Sequence, residues 1–368
     1  MRIPVAVLRR ARQVARAWRA LTGVPIDAAE ILTGRAALLG LSPRGRVSAG
    51  GATRLLQSRD GWCAITLSRP DDIEAVPALL EADAVDIDPW LAVQRWVSEH
   101  DCAEVVGRAR LLGLPVAVLG ETTPAPTIIR ATGGTGESRD LAGLLVVDLS
   151  SMWAGPLCGQ LLARAGATVV KVESRARPDG TRAGSQAFFN WMNSGKLSYT
   201  ADFDEPTRLQ QLLEIADIVI ESSRPTALAR RGLGPADVTP RDGRVWLRVT
   251  GHGTQGERAN WVAFGDDAAV AGGLVGTDEG GPVFCGDAIA DPLTGLQAAL
   301  AVAESLNRGG GELIEIAMAA VAANYAELPR TAQTDCAAIP MPRASARRLG
   351  EDNAAVDRMV AERRLASC

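Results

Sequence analysis

Two rhythms of apolar positions alternate through the middle of the chain. The short run Leu144–Val147 is cut off by Asp148 and small polar residues, the pattern of a buried strand. Ala154-Gly155-Pro156 then makes a turn whose glycine allows close backbone approach and whose proline suits a first helical position. Leu157, Leu161, Leu162 and Ala165 recur at helical spacing, Gly166 stops that helix, and Ala167–Glu173 reads as a second buried strand. This is a β-α-β unit, and its strand-to-helix turn is where parallel sheets place ligands, with free backbone N–H groups facing them. The alternation continues through a strand over Lys196–Thr200, a helix over Thr207–Ile215 and a strand over Asp217–Glu221. A short helix over Ala227–Arg231 and a strand over Val245–Thr250 complete it. The pattern predicts an α/β fold with a doubly wound, Rossmann-like parallel sheet.

The flanks read differently. Residues 1–21 set Arg2, Arg9, Arg10, Arg12, Arg16 and Arg19 among Val, Ala and Leu, which predicts a solvated amphipathic helix packing on the body. A targeting peptide calls for a longer apolar core or a Ser-rich composition. The pattern turns irregular from Gly40 to Gly51. Arg54–Ser58 and Trp62–Leu67 then flank Arg59-Asp60-Gly61, a β-hairpin with an Asp-Gly turn. Helical spacing follows over Ile73–Leu80, Asp88–Trp96 and Ala103–Leu111, leading into the apolar strand Pro115–Leu119. Thr122–Asp140 is the clearest linker, with Pro124, Pro126, Gly133, Gly134 and Gly136 among Thr and Ser. Downstream of the sheet region, helices are predicted over Phe264–Gly273 and Asp291–Leu306, the second stopped by Arg308-Gly309-Gly310-Gly311. A strand over Glu312–Ala317, a polar tail from Pro329 and an amphipathic stretch over Asn353–Leu365 finish the chain.

Size and charge narrow the function classes. At 368 residues the chain can bury a large core in two lobes. A formal charge of −4 gives no basic excess for nucleic acid, and no apolar run reaches the ~20 residues of a membrane span. The six cysteines (63, 102, 158, 285, 336 and 368) lack metal-like or disulfide-like spacing and read as free thiols in a reducing cytoplasm. His100 and His252 are the two histidines, which excludes a His-rich metal site, and neither has a motif supporting a serine-histidine triad. Gly251-His252-Gly253-Thr254-Gln255-Gly256 matches the dinucleotide pattern after a strand. Glu257-Arg258-Ala259-Asn260 then opens neither an amphipathic helix nor a β-α-β unit, so this is a loop at a domain boundary.

Leu149–Pro156 followed by Gly166–Glu173 resembles the opening signature of the class III CoA-transferases, the CaiB/BaiF type. Pro178–Arg182, Asn193–Lys196, Ala216–Glu221, Arg224-Pro225, Arg231–Gly234 and Thr250–Gly253 match further family segments in order, so that the resemblance covers roughly residues 142–317. Gly50-Gly51, the Asp60-Gly61 hairpin and Gly113–Val118 resemble pieces that the family carries after its small-domain helix, yet here they precede the sheet. Arg347–Asn353 resembles the family's last segment and stays at the end. The resemblance therefore implies a rearranged chain. Residues 1–121 are a moved part of a second, smaller α/β domain and 122–141 a linker. Residues 142–261 are the Rossmann-like CoA-binding domain, 262–328 the rest of the small domain, and 329–368 a tail. The moved piece must then pack on residues 262–320, directly or from a dimer partner.

The resemblance also implies the chemistry. CoA passes from an acyl-CoA thioester to a carboxylic acid through a carboxylate that holds each intermediate covalently. The matching position is Asp291, in Gly286–Gly295. From the residues alone, Asp291-Pro292 is a helix start, Asp at the N-cap and Pro at N1, where the local field keeps a carboxylate ionised. Asp287 is the competing carboxylate. Trp153, Ala154 and Gly155 are expected beside the thioester, their N–H groups available to a developing oxyanion, with Trp153 alternatively a core residue. Gly50 and Gly51 form either a mobile loop over the site or an ordinary turn. Arg175, Asn193, Lys196, Arg224 and Arg230 are the candidate CoA contacts, the charged ones for its phosphates or else solvated surface charges. Ser194 and Leu197 replace arginines common in the family. The expected setting is a cytoplasmic homodimer with coenzyme A as substrate and no permanently bound cofactor or metal. The related α-methylacyl-CoA racemases pair an Asp with a His, and that His position falls on Phe264. A non-catalytic CoA-binding paralogue is the remaining alternative.

Overall fold

A computed structural model of the chain describes residues 1–83, 88–329 and 332–366, which leaves Cys368 outside the described residues. The chain opens with β1 (Arg2–Pro4), α1 (Val5–Thr22) and α2 (Ala28–Leu39). The antiparallel hairpin β2 (Thr53–Gln57) and β3 (Trp62–Thr66) follows, with Leu56 opposite Cys63. After α3 (Pro70–Glu74), α4 (Val76–Leu80), α5 (Trp90–Ser98) and α6 (Cys102–Leu111), strand β4 (Val116–Val118) returns to pair with β3. The single helix expected over Ile73–Leu80 is two short ones. Pro77 enters the first turn of α4, where its missing N–H costs nothing, and Ile73 is left 49% exposed.

The expected linker is not structureless. It carries β5 (Ile128–Ala131), exposed on both faces, which adds an antiparallel edge to the main sheet. The sheet continues with β6 (Leu145–Asp148), α7 (Ala154–Arg164), β7 (Thr168–Glu173), α8 (Gln186–Asn193), β8 (Leu197–Thr200), α9 (Thr207–Ile215), β9 (Ile218–Glu221), α10 (Pro225–Ala229) and β10 (Val245–Thr250). Then come α11 (Gly265–Ala271), the hairpin β11 (Gly276–Asp278) and β12 (Gly281–Val283), α12 (Ala290–Asn307), β13 (Glu312–Ala317) and α13 (Met318–Ala326). Last are β14 (Gln333–Asp335), paired with β1, and α14 (Asn353–Ala366).

The seven-stranded sheet has the order β5-β13-β10-β9-β6-β7-β8, all parallel except β5. Counted by appearance, the parallel strands run 3-2-1-4-5-6 from β8 to β13, the doubly wound order whose crevice opens between strands 1 and 4. That crevice lies at the C-terminal ends of β6 and β9. Side chains alternate across the sheet. Val146, Val169, Ile218, Ile220 and Leu247 join one core with α1, α7, α8 and α12, while Leu145, Val147, Val170, Val219 and Trp246 join another with α9 and α14. Glu312–Ala317 is thus a strand of the large sheet, paired along its length with β10. α1 likewise buries Val7, Ala11, Val14 and Trp18 in the core of the large lobe.

The small lobe is the sheet β2-β3-β4 with helices on both sides. Leu56, Ile65 and Val116 pack on α4, α5 and α6, and on the other face Leu55, Ala64 and Ala117 meet Val270 and Ala271 of α11 and Ala319 of α13. Backbone bonds from Gly120 to Val270 and Thr122 to Ala271 reinforce this contact. The front of the chain therefore packs on the region 262–320 within one molecule. Among the described residues no helix is long and apolar enough to cross a membrane.

Candidate active site

The turn after β6 is held from below by buried charge. Lys196 Nζ lies 2.9 Å from Asp148 Oδ2 and donates to the Pro156 carbonyl at 2.8 Å. Lys171 Nζ lies 2.8 Å from Asp179 Oδ2 and donates to the Ser150 carbonyl at 2.9 Å. Burial alone would push the Asp148 carboxyl up, but Lys196, Lys171 and Ser150 outweigh it and hold the group below the usual carboxylate range. With its floor fixed, the turn takes a strained path. Met152 has φ of 75°, and its N–H reaches both Asp179 oxygens at 3.3 Å. Across the crevice, Ser151 N–H donates to Ser222 Oγ beyond β9 at 3.2 Å. α7 then starts at Ala154.

Asp291 comes to this turn because α12 approaches α7 closely. Gly295, one helical turn further on, has no side chain at the contact, where a Cβ would sit 2.6 Å from the Ala154 carbonyl oxygen. The backbone N–H groups of Ala154 and Gly265, the first residues of α7 and α11, face the Asp291 carboxylate and favour its charged form, and Asp291 is itself in the first turn of α12. Helix N-termini thus converge on one half-buried carboxyl group. Asp291 is not the N-cap that the sequence suggests: α12 begins at Ala290, behind Ile289, with no side-chain bond capping it, and the N–H groups that favour the Asp291 carboxylate belong to α7 and α11. The N–H of Ala154, expected to be available to an oxyanion, also faces the Asp291 carboxylate. Burial pushes the Asp291 carboxyl up to about 7, against the pull of Arg35 and with the push of Asp266.

The surrounding groups complete the site. Asp287 is 1% exposed and pairs with Arg35 Nη1 at 2.5 Å, while its Oδ2 has no partner among the described residues. Asp266 accepts the Ala288 N–H at 3.0 Å, and burial, with Asp287 next in strength, pushes it up to about 6. Ala288 has φ of 41°, a left-handed conformation that turns the chain between the two aspartates. Trp153 is buried, edge-on to Phe188 with ring centroids 5.4 Å apart, and the Arg35 guanidinium lies 5.4 Å from its ring centroid. Gly50 sits against the same guanidinium, a Cβ there lying 3.5 Å from Nη2, and Gly51 turns the loop at φ of 85°.

The structure therefore brings Asp291, Asp287, Trp153, Ala154 and Gly50 together. Arg175 and Arg224 are exposed just beyond the C-terminal ends of β7 and β9, on the crevice edge of the sheet, and Arg230 is exposed at the end of α10. Asn193 and Lys196 correct the sequence expectation. Both are 2–3% exposed, Asn193 donating to the Phe189 carbonyl and Lys196 holding Asp148, so neither reaches a ligand from the surface. Phe264 precedes α11, whose first turn Asp267 caps. His100 stacks on Trp96 and His252 lies edge-on to Trp261. Sequence reasoning missed Arg35 and Asp266. The available signals were a lone cation in α2, otherwise apolar or small after Glu30, and the Asp266-Asp267 pair at the start of α11. The described residues hold no group of three or more His, Cys, Asp or Glu suited to a metal ion.

The sequence profile of CoA-transferase family III matches residues 141–356, more than half of the chain. Similarity extends to the succinate–glutarate CoA-transferase of Agrobacterium fabrum, 31% identical over 204 residues, covering 48% of this chain and 50% of that protein. The succinyl-CoA–L-malate CoA-transferase beta subunit of Chloroflexus aurantiacus is 32% identical over 206 residues, half of each chain. A crystal structure of a hypothetical protein from Mycobacterium tuberculosis overlays on 51% of this chain and 57% of its own, with 28% identity and a TM-score of 0.47. The chain spans about half the length of the curated relatives it matches.

Proposed function

The chain belongs to CoA-transferase family III, and from that premise we propose that it moves CoA from an acyl-CoA thioester to a small carboxylic acid with Asp291 as nucleophile. The observation that carries the proposal is the Asp291 carboxylate, set at the mouth of the β6–α7 turn between the N–H groups of Ala154 and Gly265. Asp291 attacks the acyl-CoA carbonyl, giving an acyl-aspartyl anhydride and CoA thiolate. The thiolate attacks the aspartyl carbonyl, which releases the donor acid and leaves an aspartyl-CoA thioester. The acceptor carboxylate takes over by the reverse steps, so that the exchange needs no ATP and no net proton. A group titrating near 7 is ionised often enough to act and basic enough to attack. Asp287, the competing carboxylate, is occupied by Arg35.

Exposed Arg175, Arg224 and Arg230 serve the CoA phosphates, and Gly50-Gly51 cover the acyl group. A cytoplasmic homodimer with no permanently bound cofactor is the working form. The rearranged order of the small-domain pieces is part of the same reading. Phe264 at the racemase histidine position, with His100 stacked on Trp96 and His252 edge-on to Trp261, gives α-proton exchange no acid partner of that kind. Incubation with acyl-CoA and hydroxylamine is expected to inactivate the protein by modifying Asp291. Mass spectrometry that finds the Asp291 peptide unmodified would refute the assignment.

A further inference from the structure

Arg35 is the cation on which the separate parts of the site converge, and most of its hydrogen-bonding capacity is open. Among the described residues its one hydrogen bond runs from Nη1 to Asp287. A guanidinium is a planar fork of N–H donors, and the remaining donors here are unclaimed, with the side chain 23% exposed. Other contacts fix its place without using them. The group lies over the rings of Trp153 and Phe188, at 5.4 and 5.6 Å from their centroids, and a Cβ added at Gly50 would lie 3.5 Å from Nη2. The charged groups that face it are the carboxylates of Asp287 and Asp291 on the α12 side and Asp266 on α11.

We propose that Arg35 receives the carboxylate of the acceptor acid, and that it does so once Asp291 has lost its charge to an acyl or CoA group. The proposal rests on the transfer reading above. In the free site three carboxylates face the one cation, so an approaching anion is repelled more strongly there than after acylation, when two remain. Acylation turns Asp291 into a neutral anhydride or thioester while leaving Asp287 and Asp266 in place. Arg35 is then less compensated, and its open edge can hold a carboxylate bidentately. The acid so held attacks the aspartyl-CoA carbonyl through one oxygen. CoA thiolate leaves and an anhydride forms, and the thiolate then attacks the acceptor's carbonyl, breaking the C–O bond that returns Asp291 as carboxylate. Order of binding thus follows from charge at a single residue.

The test uses D291N, an uncharged stand-in for the acylated residue, and succinate as the probe in isothermal titration calorimetry at pH 8, where native Asp291 is ionised. D291N is expected to bind succinate about tenfold or more tightly than the native protein, the scale of a hydrogen-bonded charge pair. Adding R35Q should abolish that gain, and R35K should restore part of it. R35Q/D287N repeats the measurement without a buried unpaired carboxylate, should R35Q alone fail to fold. Equal binding by native protein and D291N, or a gain that survives loss of Arg35, overturns the proposal. In steady state R35Q should raise the acceptor KM about tenfold and leave the donor KM within about threefold, and equal rises in both overturn it as well. Absence of turnover in the native protein, with Asp291 unmodified by acyl-CoA and hydroxylamine, defeats the transfer reading itself, a result separate from the binding contrast.

Discussion

Replacing Gly265 by alanine tests the placement of Asp291, the proposed nucleophile, with one added carbon. Gly265 opens α11 with a backbone conformation any residue adopts, so alanine brings no dihedral strain. Its Cβ would collide with the Ala288 carbonyl oxygen and Asp291 Oδ2, and would lie 2.8 Å from the Ala288 carbonyl carbon. Relief needs a shift of about 1 Å, and the backbone contact at Ala288 yields less readily than the carboxylate, so Asp291 moves. Overpacking costs about 1–3 kcal/mol, while exchanging Gly for Ala in a helix returns about 0.5–1 kcal/mol. The net loss of stability is therefore about 0–2.5 kcal/mol, too little to unfold the domain. A misplacement of about 1 Å at the reacting group costs on the order of 100-fold in rate. The assay is kcat/KM for thioester-to-acid transfer beside thermal unfolding. Gly107→Ala is the matched control, since it lies exposed within α6, where an added Cβ would meet nothing within 4 Å. It should gain about 0.5–1 kcal/mol and keep full activity. If G265A stays within about threefold of the parent rate, Asp291 is not where the chemistry happens.

Three further outcomes follow from the charges. The acid limb of kcat/KM should fall near pH 7 with one-proton slope, activity being present above it and lost below it as Asp291 takes up its proton, and D266N should move that limb to lower pH by removing the neighbouring negative charge. K196M leaves Asp148 buried without its closest cation, which should cost about 3–5 kcal/mol in denaturant unfolding, and D148N should recover much of the loss in the double variant. Burial pushes Asp267 up to about 8, so the folded state holds a proton that the unfolded chain has released above pH 4; stability should fall as pH rises between about 4 and 8, by up to about 1.4 kcal/mol per unit from this group, and D267N should flatten that slope.

Much of the fold is legible where the periodic signal is long and one-sided. The helix over Thr207–Ile215 and the strands over Val245–Thr250 and Glu312–Ala317 fall on the residues the pattern predicts. The strand Ile128–Ala131 does not show in the sequence because it has no buried face. All four residues are exposed, and it is held by its ladder on β13 and by Arg130, 3.0 Å from Glu315. Charge is misread for a related reason. Lys196 looks like a surface cation until the sheet sets Asp148 and the Pro156 carbonyl around it. Arg35 and Asp287 are 252 residues apart, so no local spacing reports that they meet. Asp291 is found by motif, but the N–H groups that face it come from two helices that only the tertiary fold brings near.

The proposed rearrangement of the chain is physically inexpensive, because the site needs its pieces docked and not threaded in one order. Arg35 and Gly50 come from the front of the chain, Ala154 from the first turn of the sheet, Gly265 and Asp291 from the region beyond it. Changing which loops connect them alters closure entropy only logarithmically, by about 0.6 kcal/mol for each doubling of loop length. Against this stands the interface of Leu55, Ala64 and Ala117 with Val270, Ala271 and Ala319, where a single fully buried leucine or valine contributes about 1.5–3 kcal/mol. Thr66 Oγ1, donating to Asp267 at 2.9 Å, ties the hairpin to the helix whose first N–H faces Asp291. β1 pairs with β14, and the terminal amine donates to the Cys336 carbonyl at 2.8 Å, so the front of the chain is anchored on the segment that follows α13. Contacts of this strength set the geometry around Asp291, and connectivity enters only as a small correction to them.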